Sequence, residues 1–358
     1  MIAVIADDFS GAAELAGISL RYGLKVELFV NKLSNIKADT AVVIVSTDSR
    51  SLKKEDALKV TGKVLQQISA LQPSLLYKKV DSVLRGYVLE ELELQMRLIN
   101  KRTAFIFPAN PSLGRTIKEG KYFVDGTEID KTAFANDPEF PVKTADVKKL
   151  LGNKVQVLTK DDELINGIIV GEATELDDYK YWAEESEGSI VAGASDFYAA
   201  ILNRRYKATT FEKPVVEKPF LYVCGTAFSE RAHYIKTLTC VKWLQDELSE
   251  EWLREAGEML AEKQNLVIAI DKAFAPAADM RNKMADAVVK LMNKNPVNEM
   301  FIEGGSTAAA ILEKMSITNL EPVNELSRGV VRMKTGGLFI TVKPGSYPLP
   351  DEIKNSIA

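Results

Sequence analysis

The feature that most constrains this chain is a regular alternation of short apolar runs with amphipathic helical segments. Apolar runs occur at 2–6, 26–30, 41–45, 74–77 and 104–107. Helical patterns lie between them at 12–22, 53–71 and 88–100. This alternation is typical of βαβ units around a parallel sheet whose strands are buried on both faces. It predicts an α/β fold class.

Two segments interrupt the alternation. The stretch 114–141 is rich in Gly, Pro, Asp and Thr, and we interpret it as a long functional loop or a small excursion from the sheet. Lys207–Pro219 holds two prolines, three lysines and no long apolar run, which favours a linker. A second α/β series follows the linker, with strand-like runs at 220–223, 266–270, 300–302 and 338–342.

Length agrees with a division at this linker, because 358 residues correspond to roughly two domains. We therefore predict a first domain at 1–210 and a second at 218–358, each built on a mostly parallel sheet with flanking helices. In such folds, ligands bind beyond the carboxyl ends of the strands. The active site is expected in the cleft between the two domains.

Scarce residue types exclude several classes of site. With one histidine, His233, and two cysteines, Cys224 and Cys240, a His-based zinc site, a Cys₄ site and a disulfide framework are excluded by count. A Ser-His-Asp triad would have to use His233, and the chain has no GxSxG turn. We interpret Cys224 and His233 as structural, which leaves carboxylate, lysine and backbone chemistry.

Charge and hydropathy bound the partners and the location. The chain has 46 basic and 50 acidic residues, and a net charge of −4 argues against nucleic acid as the main partner. The apolar run at 2–6 stops at Asp7 and lacks a basic leader, so we expect no targeting segment. No apolar stretch approaches the ~18 residues of a membrane span. We expect a cytoplasmic protein with no membrane partner, and an exposed helix face that could support a homodimer.

Polar side chains follow four strands of the first half, at the point where each strand ends. These candidates are Asp7, Asp8, Ser10 and Gly11; Thr47, Asp48, Ser49 and Arg50; Lys78, Lys79, Asp81, Ser82, Arg85 and Gly86; and Pro108, Ala109 and Asn110, with Arg115 nearby. Carboxylates accept hydrogen bonds from hydroxyl groups, and lysine and arginine bind carboxylate or phosphate. Together they predict a pocket for a small polyhydroxylated acid.

Each of these groups also has a simpler interpretation. Asp7 and Asp8 could serve only as N-caps of the next helix, and 48–50 could be an ordinary helix-start turn. Lys78 and Lys79 could be solvated surface residues. Since consecutive strand residues face opposite sides of a sheet, we expect one of the two lysines at the site.

Glycine turns follow three strands of the second half. Gly304, Gly305, Ser306 and Thr307 lie between a strand and a helix, where backbone N–H groups can approach a phosphate. The segment 224–229, which ends at Ser229, and the turn of Lys343, Pro344, Gly345 and Ser346 repeat the pattern. Neither GxxxxGK[ST] nor GxGxxG is present. The three turns predict a nucleotide-phosphate site, although the Gly345 turn could be an ordinary one.

Several of these motifs resemble those of the four-carbon acid sugar kinases. The segment ADDFSGA at 6–12 resembles the family's ADDLTGA opening, and YKKVDSVLRG at 77–86 resembles KKxDSTLRG. TDSR at 47–50, the segment 108–116, GGSTA at 304–308 and KPG at 343–345 are similar to further family segments, in the family's order. Two departures stand out: Ser306 replaces the glutamate of GGETA, and Val83 replaces a threonine.

The resemblance implies an N-terminal domain that binds a sugar acid and a C-terminal domain that binds ATP. Family members use ATP to phosphorylate the terminal hydroxyl of threonate, erythronate or 3-oxo-tetronate. By resemblance, the sugar acid would be held by Asp7, Asp8, Asp48, Ser49, Arg50, Lys79, Asp81, Ser82, Arg85 and Gly86. ATP would be held by Ser229, Gly304, Gly305, Ser306, Thr307 and Gly345.

We therefore expect an ATP-dependent sugar-acid kinase, with Asp8 as the group that orients or deprotonates the hydroxyl and Asp81 as second choice. Arg85, Lys79 or Arg50 would bind the substrate carboxylate, and Mg²⁺ would bridge the ATP phosphates. Glu303 is a possible substitute for the missing glutamate. Two alternatives remain: a sugar-acid-binding protein without catalysis, and a two-domain dehydrogenase, which the absence of GxGxxG disfavours.

Overall fold

A computed structural model describes residues 1–137, 140–210, 213–225, 229–345 and 347–357. Within these residues the apolar runs form strands. Their bounds are β1 (Ile2–Ala6), β2 (Val26–Val30), β3 (Val42–Ser46), β4 (Leu75–Lys79), β5 (Ala104–Phe107), β6 (Arg115–Lys118), β7 (Lys121–Val124), β8 (Thr127–Glu128), β9 (Val155–Leu158), β10 (Ile168–Gly171), β11 (Ile190–Gly193), β12 (Phe220–Cys224), β13 (Val241–Trp243), β14 (Asn265–Ala269), β15 (Glu299–Glu303), β16 (Asn319–Ser327), β17 (Val330–Thr335) and β18 (Leu338–Lys343).

Helices connect most of the strands and cover the sheet. Their bounds are α1 (Phe9–Leu20), α2 (Lys54–Ala70), α3 (Val88–Ile99), α4 (Val147–Leu151), α5 (Asp178–Glu185), α6 (Ser195–Arg205), α7 (Ser229–Ile235), α8 (Glu250–Lys263), α9 (Ala277–Lys294), α10 (Gly305–Lys314) and α11 (Asp351–Ile357). The fold is therefore a mixed α/β fold with a large, mostly parallel sheet and flanking helices, as the alternating pattern predicts.

The described strands form a main sheet of fifteen, in the order β13-β14-β12-β15-β18-β17-β16-β2-β3-β1-β4-β11-β5-β10-β9. The eight strands from β2 to β9 run parallel to one another, and so do the five from β13 to β18. The structure thus joins the two sheets that the sequence predicts into one sheet.

The junction between the two parallel blocks is antiparallel. β18, β17 and β16 pair in antiparallel fashion, and β16 pairs with β2 at Asn319–Phe29 and Leu320–Leu28. β16 contains two register shifts, and such bulges bend a strand and increase its twist. β16 and β17 were not predicted from the sequence. The run 319–327 contains Pro322 and four acidic or amide side chains, so it lacks the apolar character of the other strands.

Helix α1 lies at this junction and is unusually buried. Eleven of its twelve residues are buried, because it packs against β16 and β17 on one side and α6 on another. The Ser19 hydroxyl is 2.8 Å from the Tyr198 hydroxyl on α6. These contacts position the N-terminus of α1, where Asp8 and Ser10 lie, at the carboxyl end of β1.

The segment 114–141, expected as a loop or an excursion, is partly ordered as a second small sheet. β6, β7 and β8 pair in antiparallel fashion over 115–128, and short 3₁₀ turns follow at 129–136. Tyr122 of β7 is fully buried and donates a hydrogen bond to the carbonyl oxygen of Ser82. This sheet therefore packs onto the loop that follows β4. Among the described residues, no helix has the length and apolar character needed to cross a bilayer.

Candidate active site

Asp8 ends the turn between β1 and α1 and acts as the N-cap of the helix. One carboxylate oxygen accepts from the Gly11 amide at 3.2 Å, and the other accepts from the Ser10 hydroxyl at 2.5 Å. The capping interpretation is thus correct for Asp8. The carboxylate nevertheless lines a cavity, so capping does not use all of its capacity.

Arg50, which follows β3, binds three carboxylates at the ends of β1 and β4. It donates to both oxygens of Asp7, at 2.9 and 2.8 Å, and to Asp8 at 3.1 Å. Its guanidinium also lies 3.4 Å from an oxygen of Asp81. Burial opposes the charge of Arg50, but these three carboxylates outweigh burial and raise its pKa well above the ordinary value. Arg50 therefore orients the acids and has little capacity left for a substrate.

The two lysines at the end of β4 point to opposite faces of the sheet. The Lys79 ammonium donates to the Val80 carbonyl at 3.0 Å and lowers the pKa of Asp8 by attraction. Lys78 forms an ion pair with Glu91 of α3, and both side chains are at most 2% exposed. The expectation of one lysine at the site agrees with this geometry. Lys78, one of the strand-end candidates for the predicted substrate-binding pocket, lies on the opposite face and is not part of the site.

Asp81 is saturated with hydrogen bonds. Arg85 donates to both of its oxygens, at 3.0 and 2.9 Å, and the Val83 and Arg85 amides donate at 3.1 and 3.2 Å. Burial raises the pKa of Asp81, but Arg50 and Arg85 outweigh burial and hold it well below its usual range. A carboxylate in this state is a weak proton acceptor, which favours Asp8 over Asp81 as the base.

The small sheet brings a second group of side chains to this loop. Arg115 donates to the Ser82 hydroxyl, and Arg85 also donates to Asp137 at 3.2 Å. The Phe134 ring lies against both guanidinium groups, 5.9 Å from that of Arg85 and 5.8 Å from that of Arg115. Phe134 and Asp137 were not predicted as site residues, because they come from the stretch expected to be a loop.

Asp48 faces the cavity in a strained conformation. Its φ of +46° lies in the left-handed region, and Ser51 donates to its carboxylate at 3.3 Å. Burial, together with repulsion from Asp8, raises the pKa of Asp48 to about 6. By contrast, Ser49 is fully buried and accepts from Thr47, so it does not line the cavity. Gly86 has a φ of +91° and lies beside Asp7 and Arg50.

In the second half, the turn between β15 and α10 approaches α1 closely. A Cβ on Gly305 would lie 2.8 Å from the Ser10 hydroxyl, and one on Gly225 would lie 2.0 Å from the Thr307 hydroxyl. Both positions therefore require glycine. The turn presents the N-terminus of α10, where unpaired backbone N–H groups favour an anion. Gly304 supplies a φ of +111° at the start of this turn.

Lys343 does not present a cation to this turn. It is fully buried, forms an ion pair with Glu303 at 3.2 Å, and donates to the carbonyl oxygens of Pro344, Gly345 and Tyr347 at 2.6–3.2 Å. Burial lowers its pKa. The sequence predicts Lys343 and Gly345 as nucleotide-binding residues. In the structure, the hydrogen bonds of Lys343 stabilise the turn that follows it instead. Ser346 lies outside the described residues.

Glu303 is held in the same network. Tyr222 donates to one of its oxygens at 2.5 Å, and Arg231 donates to the other at 3.0 Å. Glu303 is fully buried and does not line the cavity, which weakens its case as a substitute for the family glutamate. Ser229 begins α7, and its side chain lies outside the described residues.

One cavity of about 750 Å³ connects the two groups of residues. Its volume is within the range of small-molecule sites. The first half contributes Asp8, Ser10, Asp48, Arg50 and Arg85, and the second half contributes Gly225, Gly305, Ser306 and Thr307. An apolar wall at 273–284 completes it, with the side chains of Ala273, Ala275, Ala277, Ala278, Met280 and Met284, and beside them Arg281. The sequence analysis missed this wall, although it also follows a strand, β14.

Comparison with known proteins identifies a family and several relatives. A family model described as a sugar-binding N-terminal domain matches residues 2–231. The D-threonate kinase of Salmonella typhimurium is 29% identical over 53% of this chain and 45% of its own length. That of Bordetella bronchiseptica is 33% identical over 42% of this chain and 39% of its own length. A D-erythronate kinase of Heliobacterium modesticaldum and a 3-oxo-tetronate kinase of Brucella melitensis match at 28% identity, over 39% and 42% of this chain and 33% and 36% of their own lengths. The chain spans less than half the length of each of these relatives.

Solved structures extend the likeness of fold to the whole chain. A Salmonella typhimurium protein superposes with a TM-score of 0.83 at 17% identity, and a Haemophilus influenzae protein with a TM-score of 0.79 at 18% identity. Each likeness covers 99% of this chain and 98% of the solved chain. At these identities the likeness concerns the fold alone.

Proposed function

We propose, since this chain belongs to the four-carbon acid sugar kinase family, that it transfers the terminal phosphoryl group of ATP to the terminal hydroxyl of a four-carbon sugar acid. The observation that carries the proposal is the shared cavity. Ionised acids and cations of one half face the anion-binding helix N-terminus of the other half across it. A hydroxyl acceptor and a phosphate donor can both be held there.

We assign the binding of the two substrates to the two walls of the cavity, one formed by the first half of the chain and one by the second half. Residues 1–210 form the proposed sugar-acid-binding domain and 218–358 the proposed nucleotide-binding domain, with the cavity in the cleft between them. Arg85 lines the first-half side of the cavity, and Arg115 lies behind it; both attract the substrate carboxylate, because Arg115 donates to the uncharged Ser82 and forms no ion pair within the described residues. Lys79 adds positive charge beside Asp8.

Asp8 accepts the proton of the attacking hydroxyl. Burial opposes its ionisation, but Arg50, Lys79 and the Ser10 hydroxyl lower its pKa below the ordinary value, so it is ionised at neutral pH. A bond forms between the hydroxyl oxygen and the terminal phosphorus as the bond to the bridging oxygen breaks. The electron pair of the broken bond leaves with ADP, and the proton goes to Asp8. Positioning supplies most of the acceleration in such transfers.

Backbone N–H groups at the start of α10 hold the phosphates, and the alanine and methionine side chains of the apolar wall pack against the rest of the nucleotide. Mg²⁺ usually binds through one or two carboxylates and the substrate phosphates. Asp8 fits this, since it lines the cavity, and no cluster of three metal-ligating side chains occurs among the described residues. When bound, the ion neutralises phosphate charge.

Release of ADP across a panel of four-carbon acids tests the proposal. The purified chain is incubated with Mg²⁺, ATP and D-threonate, L-threonate, D-erythronate, L-erythronate or 3-oxo-tetronate, with glycerate and a five-carbon acid as length controls. We expect ADP release with at least one four-carbon acid, and a new phosphate monoester in the ³¹P NMR spectrum. Product with none of these acids would overturn the proposal.

One observation favours the alternative of a sugar-acid-binding protein. The second-half turn has Ser306 in place of a carboxylate, and Glu303 is buried away from the cavity. Calorimetry separates the two functions. Binding of an acid with no detectable binding of ATP and Mg²⁺ would establish the alternative.

A further inference from the structure

Arg281 lies at the cavity without a partner. It belongs to the first turns of α9, is half-buried, and within the described part of the chain forms neither an ion pair nor a hydrogen bond. Lys283, two residues later, shows the contrast: it forms an ion pair with Asp246 and lies 5.5 Å from the Phe274 ring. A half-buried arginine without an ion pair or hydrogen bond can use all of its N–H donors to bind an anion.

Asp48 of the first half attracts Arg281. Both residues line the same cavity, and the Arg281 charge acts on the Asp48 carboxylate. Asp48 receives one hydrogen bond, from Ser51, and forms no ion pair within the described residues. Two opposite charges from different halves thus line one cavity without an ion pair between them. The left-handed backbone of Asp48 fixes its side of this arrangement.

The other cations of the cavity are already bound. Arg50 binds three carboxylates, and Arg85 binds Asp81 and Asp137. Arg281 is therefore the arginine of this cavity that an incoming anion can recruit without breaking an existing ion pair. It also lies on the same cavity as the Gly305–Thr307 turn, which favours phosphate rather than carboxylate as that anion.

We propose that Arg281 binds the terminal phosphoryl group of the nucleotide, and that Asp48 is its counter-ion until the nucleotide enters. This inference rests on the proposed function and deepens it. As the bond to the acceptor oxygen forms and the bond to the bridging oxygen breaks, negative charge is carried by the three remaining oxygens of the transferred group. A guanidinium that donates to these oxygens stabilises the transition state.

The test compares nucleotides with and without the terminal phosphate. Calorimetry in the presence of Mg²⁺ measures the binding of ADP and of the β,γ-imido analogue of ATP to the wild type, Arg281→Met, Arg281→Lys and the control Lys283→Met. We expect Arg281→Met to weaken the analogue about tenfold and to leave ADP within about twofold. Its kcat should fall about 10²–10³-fold. Arg281→Lys should recover part of the loss, and Lys283→Met should match the wild type.

Asp48→Asn tests the counter-ion. Binding of the analogue no longer has to displace Asp48, so we expect a two- to fivefold gain in affinity in Asp48→Asn and no gain when Arg281→Met is also present. A gain of equal size in both backgrounds would overturn the role of Asp48.

Equal effects of Arg281→Met on ADP and the analogue, or no effect on either, would overturn the role of Arg281. Circular dichroism and thermal unfolding establish that each variant is folded. A wild type that binds neither nucleotide would overturn this inference and the kinase function together. A wild type that binds and turns over, with Arg281→Met unchanged, would overturn this inference alone.

Discussion

The two walls of the cavity are built from different materials. The wall of the first half consists mainly of charged side chains that are already paired, with Arg50 in contact with Asp7, Asp8 and Asp81; Asp48 is the exception. The wall of the second half consists of backbone and small side chains, where glycines allow the turn at 304–307 to approach α1 and Thr307.

The proposed function gives this difference a chemical reason. A sugar acid presents hydroxyl groups whose arrangement distinguishes one acid from another, so its site needs oriented side-chain oxygens and cations. Phosphates present the same oxygens in every nucleotide, so a helix N-terminus is sufficient. Losing a side chain should therefore harm the first wall, and gaining one should harm the second.

The largest effect is expected from Asp8→Asn. The substitution removes the proposed proton acceptor, and we expect kcat to fall about 10²–10⁴-fold. Asparagine is as good an N-cap as aspartate, so the thermal unfolding temperature should change little. Steady-state ADP release with the acid that gives the fastest turnover measures the effect.

The matched control is Asp56→Asn, an exposed aspartate in the first turn of α2, which should leave kcat within about twofold. Near-normal turnover of Asp8→Asn would remove Asp8 from the mechanism. It would also show that the charged wall holds the acid without taking its proton.

A smaller effect is expected from adding a methyl group to the second wall. The Cβ of Gly225→Ala would lie 2.0 Å from the Thr307 hydroxyl, so the turn must move. We expect a loss of about 1–3 kcal/mol in the free energy of unfolding, and weaker binding of the ATP analogue with unchanged binding of the sugar acid. Urea unfolding and calorimetry measure the two effects.

Gly337→Ala is the control, since nothing lies within 4 Å of its added Cβ and its φ is not in the left-handed region. If Gly225→Ala binds the analogue as the wild type does, nucleotide binding by the second wall does not depend on close backbone approach. That result would contradict the proposed contrast between the two walls.

The smallest effect concerns Asp48 and depends on pH. Its pKa is raised from 3.8 to about 6, chiefly by burial. Ionised Asp48 therefore costs the folded state stability, a cost that is absent below about pH 4 and complete above about pH 6. Asparagine does not titrate and tolerates the left-handed backbone. The stability advantage of Asp48→Asn over the wild type should grow by roughly 1–2 kcal/mol between pH 4 and pH 7.

Urea unfolding at pH 4, 5, 6 and 7 measures this advantage, with the exposed Asp161→Asn as control. An advantage that is constant with pH would mean that Asp48 is as well solvated in the folded chain as in the unfolded one. The cavity would then be more open to water than its lining indicates.

Much of this site could be predicted, because parallel strands bring their carboxyl ends together. The sequence shows Asp8, Arg50, Lys79 and Asp81 directly after strands, and the structure brings these four side chains together. Period-two alternation also predicts that Lys78 and Lys79 face opposite sides. It does not say which of the two faces the acids, because that depends on which face α3 and Glu91 cover.

The rest depends on contacts between distant segments. Lys343 follows a strand, as Arg50 does. The turn after Lys343 folds back, however, and the carbonyl oxygens of that turn accept hydrogen bonds from the Lys343 ammonium group. Arg281 has no glycine or acidic motif beside it in the sequence, and its position becomes clear only when Asp48 faces it. β16 escaped prediction because its partners, rather than its composition, make it a strand.

The pairing of β16 with β2 has a consequence for how the chain can come apart. Each of these strands gives the other half's sheet its missing neighbour, so either half alone would expose a row of unsatisfied backbone groups along one side. Cleavage of the chain within 207–219 should therefore yield two fragments that associate with each other or self-associate, instead of two independently stable proteins. The same pairing couples the two halves mechanically, because any rotation of one half relative to the other has to bend or twist the sheet that they share.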